Sequence, residues 1–373
     1  MRTKLLVTTF ISLFFFYLFI YQVDLQGWLA GESTLWQALF GQTRINWSDL
    51  WSTLANLDLR FVGGAVVLFV LSVLIRTWRW QLLVRPVKQT GFQLLFGILN
   101  IGYMANNLLP FRLGELIRAH LLGKKAGISR VSALATVIVE RVLDMVGLML
   151  LVCLTLFLFR FPPGTIRTDV TIGLGVVVVL LLLLLLGSIF LRHTARRLVF
   201  AVTRLLSRQW RKKILKVTDA FLDGLEILRS AGHYFSIIVS TVLMWGCYLG
   251  ITWLTFYAFS LDSSSYPLLH GNLALASLVV LTLSSIGMAI PSAPGAVGTY
   301  HASTQLALSF FAVPGRIAIP FAIILHLTSY IILCLLGFYY LWSMQLRLRD
   351  VRQDLRVDSG ASTISTTKER GKV

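Results

Sequence analysis

Three polar stretches interrupt an otherwise apolar chain, and each holds residue types that act on ions or charged head groups. The first contains Asn106, Asn107, Pro110, Arg112, Gly114, Glu115, Arg118 and His120. Pro110 cannot continue a hydrogen-bonded helix, and Gly114 permits close backbone approach. Asn106 and Asn107 carry amides that can satisfy the backbone groups freed by such a break. Arg112, Glu115 and Arg118 lie three apart, so they share one helical face. A guanidinium offers five donors in a fork that matches a phosphate, and a helix start adds further N–H donors. The same residues could also form an internally paired Arg–Glu–Arg cluster that only fastens the turn. Ionisable groups at membrane depth are functional by default, which favours the head-group reading.

The second stretch is Glu140, Arg141 and Asp144, set inside an apolar run. Glu140 and Asp144 are four apart and face one way. Carboxylates in lipid require partners, and Arg112, Arg118 or Arg141 could supply them. A charged wall of a substrate path, a proton-coupled carboxylate and a structural ion pair all remain open. The third stretch runs from Ser284 to His301 and includes Gly287, Pro291, Pro294, Gly295 and Gly298. Its prolines and glycines break the helix and open its backbone to a cavity. Gly298, Thr299 and Tyr300 then begin a new helix whose N-terminus can meet an anion. His301 is either a head-group donor or a packing residue, and packing is the commoner role; His326 is a similar case. Arg76, Trp78, Arg79 and Trp80 close a span and read as an interfacial anchor with an aromatic belt. No P-loop, H-E-x-x-H or G-x-S-x-G occurs, so common ATP, zinc and serine-nucleophile chemistries lack support, and neither a cofactor nor a metal site is expected.

The elements that must hold these stretches are membrane helices. Of 373 residues, 56% are hydrophobic and 13% charged, with a mean hydropathy of +0.77. Soluble domains carry about a quarter charged residues, so lipid is the main solvent here. Full spans are predicted at 5–23, 61–83, 131–159, 170–191, 234–259 and 317–342. Segments 92–120 and 272–312 are apolar but broken, which is tolerated only inside protein or beside a wet cavity. The fold class is therefore all-α and polytopic, with about six spans and two re-entrant hairpins. Cys153, Cys247 and Cys334 fall in predicted spans without C-x-x-C spacing and read as core residues. Residues 192–233 form a basic amphipathic segment, and 346–373 a basic tail expected to be disordered.

Charge sets the direction of the hairpins. If each enters and leaves on one side, 28 of the 34 Lys and Arg share a side, and Arg44, Arg60, Arg160, Arg167 and Arg316 oppose them. The positive-inside rule then places both termini in the cytoplasm. The net charge of +18 is explained by orientation and contact with anionic lipid, and nucleic acid is not an expected partner. The hairpins then enter from opposite faces, the mark of inverted repeats with a site near the midplane. Pro110-x-x-x-Gly114 and Pro294-x-x-x-Gly298 hint at such a repeat.

As a set, N-N-x-x-P-x-R-x-G-E at 106–115, E-R-x-x-D at 140–144 and P-G-x-x-G at 294–298 resemble the lysylphosphatidylglycerol synthase transmembrane-region family, also called flippase-like. The likeness runs in order from about 60 to 342, within a transmembrane domain placed at 1–345. It implies a lipid translocase module, fused in some relatives to a soluble domain that transfers lysine from lysyl-tRNA to phosphatidylglycerol. This chain ends after its last predicted span, so the stand-alone form is expected. His301 stands where many relatives carry a Glu, so no acidic role is carried over there. The expected function is movement of an anionic, aminoacylated or polyprenyl-phosphate-linked lipid across the cytoplasmic membrane. The expected partners are anionic membrane lipids and an envelope-lipid biosynthesis enzyme. A membrane-embedded transferase and a non-transporting scaffold are the rival readings.

Overall fold

The computed structural model describes residues 47–109, 112–160, 234–290 and 294–346, with isolated positions between 34 and 37 and between 173 and 215. The predicted spans 5–23 and 170–191, most of the 192–233 segment and the tail lie outside the described residues.

Every described element is helical. A short helix α1 (Trp47–Ala55) precedes α2 (Leu59–Val84), α3 (Phe92–Leu108), α4 (Gly114–Ala126) and α5 (Arg130–Leu158). From residue 234 onward come α6 (Tyr234–Ala258), α7 (Leu273–Ala289), a 3₁₀ turn at Pro294–Ala296, α8 (Thr299–Ser309) and α9 (Gly315–Ser343). Helices α2, α5, α6 and α9 are long and apolar enough to cross a membrane. At 1.5 Å per residue they run about 38–44 Å, whereas α3, α4, α7 and α8 reach only about 16–26 Å and fall short of the ~30 Å core. The chain is a multi-pass membrane protein.

Local chemistry sets the boundaries. Asp58 caps α2 by accepting from the Arg60 amide at 3.0 Å, and the Arg60 guanidinium holds that carboxyl below its ordinary range. Ser129 caps α5 the same way, accepting from the Ser132 amide at 3.0 Å. Leu109 (φ −107°, ψ 144°) and Ile290 (φ −63°, ψ 128°) end α3 and α7 in extended geometry, as residues before Pro110 and Pro291 are biased to do.

Contacts along α5 and α9 fix how the hairpins run. Near the start of α5, Gly123 of α4 faces Arg130; just past its end, the Phe159 ring meets Phe311 beside α8, tilted by 41° with centroids 5.3 Å apart. Phe96 of α3 meets Tyr340 at the far end of α9, while the Asn107 carbonyl accepts from the Tyr330 hydroxyl at mid-helix, 3.3 Å away. The hairpins α3–α4 and α7–α8 therefore enter from opposite ends of α5 and α9, and their tips meet at mid-depth.

This arrangement is a repeat. The units α2–α5 and α6–α9 match helix for helix, with lengths of 26, 17, 13 and 29 residues against 25, 17, 11 and 29. Helices α2 and α6 pack antiparallel, since Asp58, Phe61 and Arg79 meet Ala258, Tyr257 and Thr241 respectively. The second unit is thus inverted relative to the first. Helix ends align Pro110 with Pro291, not with Pro294; the second hairpin has nine linking residues, 290–298, against five, 109–113. Its four additional linking residues are the reason the sequence similarity is displaced.

Candidate functional site

The polar residues of the first unit converge at mid-depth. Glu140, fully buried on α5, accepts from Arg118 at 2.5 Å, from Arg141 at 3.2 Å and from the Tyr103 hydroxyl at 3.2 Å. Asp144, one turn on, accepts from Arg79 at 2.5 Å and Arg76 at 3.2 Å, with Arg141 3.4 Å away. Arg141 also faces Glu115 at 3.7 Å. The Arg118 guanidinium lies over the Trp80 ring, 4.2 Å from its centroid, an arrangement suited to a desolvated cation.

Tyr103 is the hub of this network. Its hydroxyl accepts from Arg76 and Arg141 and donates to Glu140. A lone charge at mid-membrane costs roughly 2.5–3.5 kcal/mol on insertion scales, so such mutual satisfaction is a condition of folding. The balance is nevertheless uneven. Arg76, Arg79, Arg112, Arg118 and Arg141 face only Glu115, Glu140 and Asp144, which leaves two positive charges in excess among the described residues.

Beside the network lies a cavity of about 460 Å³ between the hairpins and the long helices. One wall is charged: Arg76, Arg112, Glu115, Arg141 and Asp144. The other combines apolar residues, such as Trp245, Leu281 and Leu333, with the hydroxyl-bearing Ser284, Ser285, Thr328 and Ser329. Arg112 stands at the tip of the first hairpin with φ 51°, and its guanidinium donates to the Met288 carbonyl of α7. A neutral carbonyl leaves that charge available to a ligand. The arrangement suits a phosphate against the charged wall with an apolar body opposite it.

The remaining polar residues have other surroundings. Arg118 and Glu140 sit one layer behind the cavity wall. The Asn106 side chain accepts from the Gly114 amide at 2.8 Å, closing the first hairpin where α3 and α4 touch backbone to backbone. A side chain at Gly114 would strike the Gly102 carbonyl. Asn107 faces Cys334 at 3.8 Å. Gly295 (φ 69°) and Gly298 (φ 98°) adopt left-handed backbone in the second tip, beside Pro294. His301 is buried beside His326, with ring centroids 5.0 Å apart, and Tyr300 stacks on His326 at 4.5 Å. Of these, only Tyr300 reaches the cavity. Among the described residues, no group of three or more His, Cys, Asp or Glu could hold a metal ion.

A family model described as the lysylphosphatidylglycerol synthase TM region matches residues 10–337. The chain belongs to that family. A further relative is a UPF0104 membrane protein of Methanothermobacter thermautotrophicus, 37% identical over 111 residues, or 29% of this chain. The alignment spans 33% of that relative's length. No solved structure matches the chain.

Within this member of the family, the sequence alone assigned Arg76 and Arg79 to an interfacial anchor. The structure turns both inward, with Arg79 fully buried, because the carboxylates of α5 draw them from the lipid boundary. Their three-residue spacing, which puts both on one face, was the available sign. Of the four, Trp78 alone is exposed. Tyr103 gave no sign at all, as a single tyrosine in an apolar run.

Proposed function

We propose that this protein is a lipid translocase that admits an anionic head group into the mid-depth cavity and passes it across the cytoplasmic membrane. The observation that carries this reading is the uneven charge of the cavity. Its wall belongs to a network with two more guanidiniums than carboxylates, and the opposite wall is uncharged, made of apolar and hydroxyl-bearing side chains. An anionic phospholipid, an aminoacylated phospholipid or a polyprenyl-phosphate-linked lipid meets both requirements. Arg112 and Arg141 hold the phosphate, Asp144 and Glu115 keep the unliganded cations apart, and Tyr103 fixes the inner faces of Arg76 and Arg141. The family's own description, a synthase transmembrane region, favours a lipid substrate and an envelope-lipid enzyme as partner.

Orientation follows from the charge distribution. Arg76, Arg79, Arg112 and Arg118 belong to the interior, so they are removed from the 28 basic residues assigned to one side. The remaining excess still favours cytoplasmic termini.

The test uses the purified chain in vesicles of mixed anionic lipids, with labelled lipid in one leaflet. Transfer between leaflets is expected for the wild type, and Arg112→Ala should reduce it at least about tenfold, the effect of roughly 1.4 kcal/mol of lost head-group binding. Equal transfer by both proteins would defeat the assignment. Altered lipid chemistry, in place of altered sidedness, would favour a transferase.

A further inference from the structure

The cavity is one-sided in a molecule built from two matching units, and that asymmetry points to a second site. In the second unit, α7 stands away from α5 at mid-depth, and Leu281, Ser284, Ser285 and Met288 line the gap. The two helices still touch at one end of that gap, where the Thr155 and Thr282 hydroxyls lie 2.8 Å apart beside Leu281. The inverted repeat pairs α7–α5 with α3–α9. Counted from each helix start, Leu281, Ser285 and Met288 correspond to Asn100, Met104 and Asn107, the ninth, thirteenth and sixteenth residues of α3.

Those three residues face α9, and there the interface is shut. A side chain at Gly337 would strike Met104 and the Asn100 carbonyl. Met104 is fully buried, and Asn107 rests against Tyr330 and Cys334. One atom does not fit a permanently closed seam. Asn100 is fully buried; its amide nitrogen donates to the Phe96 carbonyl at 2.8 Å, but its side-chain oxygen has no partner among the described residues. An amide oxygen without a partner in an apolar interior is expensive and is rarely kept without a reason. Water or a polar head group would satisfy it if the seam parted.

We propose that the α3–α9 seam is a latent second head-group site, opened in an alternate state in which α7 closes onto α5. In that state Asn100, Met104 and Asn107 line the path that Leu281, Ser285 and Met288 line in the state described. The two states are images of each other under the inverted repeat, so the cavity moves from one unit to the other. The proposal rests on the translocase reading, but its test needs no transport.

The test is aqueous thiol labelling of single cysteines placed in full-length protein, in lipid vesicles, with Cys153, Cys247 and Cys334 replaced by alanine. Ser285→Cys lies on the open cavity and reports its access to water. Leu121→Cys, fully buried on α4, is the inaccessible control. Met104→Cys and Asn100→Cys each report the seam, so that a folding failure in one leaves the other. A minor state populated at roughly 0.1–10% gives seam labelling about 10- to 1,000-fold slower than Ser285→Cys, yet faster than Leu121→Cys. Seam cysteines that react no faster than Leu121→Cys would overturn the proposal. That outcome would leave the head-group site at Arg112 untouched, whereas a failed transfer assay would leave the labelling result standing.

Discussion

In the first hairpin, α4 directs Glu115 and Arg118 toward α5, where Arg141 and Glu140 receive them, with Asp144 one turn on. In the second, α8 directs Tyr300 and His301 toward α9, where His326 and Ser329 occupy the registers of Arg141 and Asp144. The two units share helix lengths, broken tips and the depth at which they meet. They differ in what fills that depth: guanidiniums and carboxylates on one side, imidazoles, phenols and hydroxyls on the other. The architecture itself does not call for charges at that depth, because the second unit closes it without them; where charges are present, they must satisfy one another. Under the translocase reading proposed above, the charged unit meets the head group and the neutral unit supplies a surface along which it moves.

The comparison can be broken by substitutions at matched registers. The largest effect is expected at Glu140, whose removal leaves Arg118 buried without its carboxylate. Glu140→Ala should lower stability by about 3–5 kcal/mol, measured by thermal unfolding in detergent. A loss below about 1 kcal/mol would show that the network is not a folding requirement. Tyr103→Phe comes next. It keeps the ring beneath Arg76, Arg118 and Arg141 but removes the hydroxyl joining three charged groups, at about 1–3 kcal/mol by the same measurement. The smallest effect belongs to the second unit. The Ser329 hydroxyl donates to the His326 carbonyl of its own helix, so Ser329→Ala should change stability by less than about 1 kcal/mol. An effect as large as that of Glu140→Ala would erase the difference between the units.

Much of this plan was legible in the residues. The four long described spans followed from apolar length, and the two broken segments from Pro, Gly and polar residues at membrane depth. Their opposed entry followed from the distribution of Lys and Arg. The alignment of the repeats did not, because Pro294 offered a sequence match that four additional linking residues displace; Pro291 follows the end of α7 as Pro110 follows the end of α3. At the site, Glu140, Arg141 and Asp144 stood out because charges in an apolar run need partners. Which partners they take was not legible, since Arg76 and Arg79 arrive from a helix more than sixty residues away in sequence. The role of Tyr103 depends on three helices meeting, and single-chain periodicity does not encode that.

The central claim is that the excess positive charge around the cavity is neutralised by an anionic lipid. Lipid mass spectrometry of the purified protein, wild type beside Arg112→Ala, measures this most directly. The account predicts that one anionic lipid class is enriched over the surrounding membrane in the wild type and falls toward the bulk level in the variant. Two identical profiles that both mirror the bulk membrane would contradict it and would make the arginine network a structural clasp.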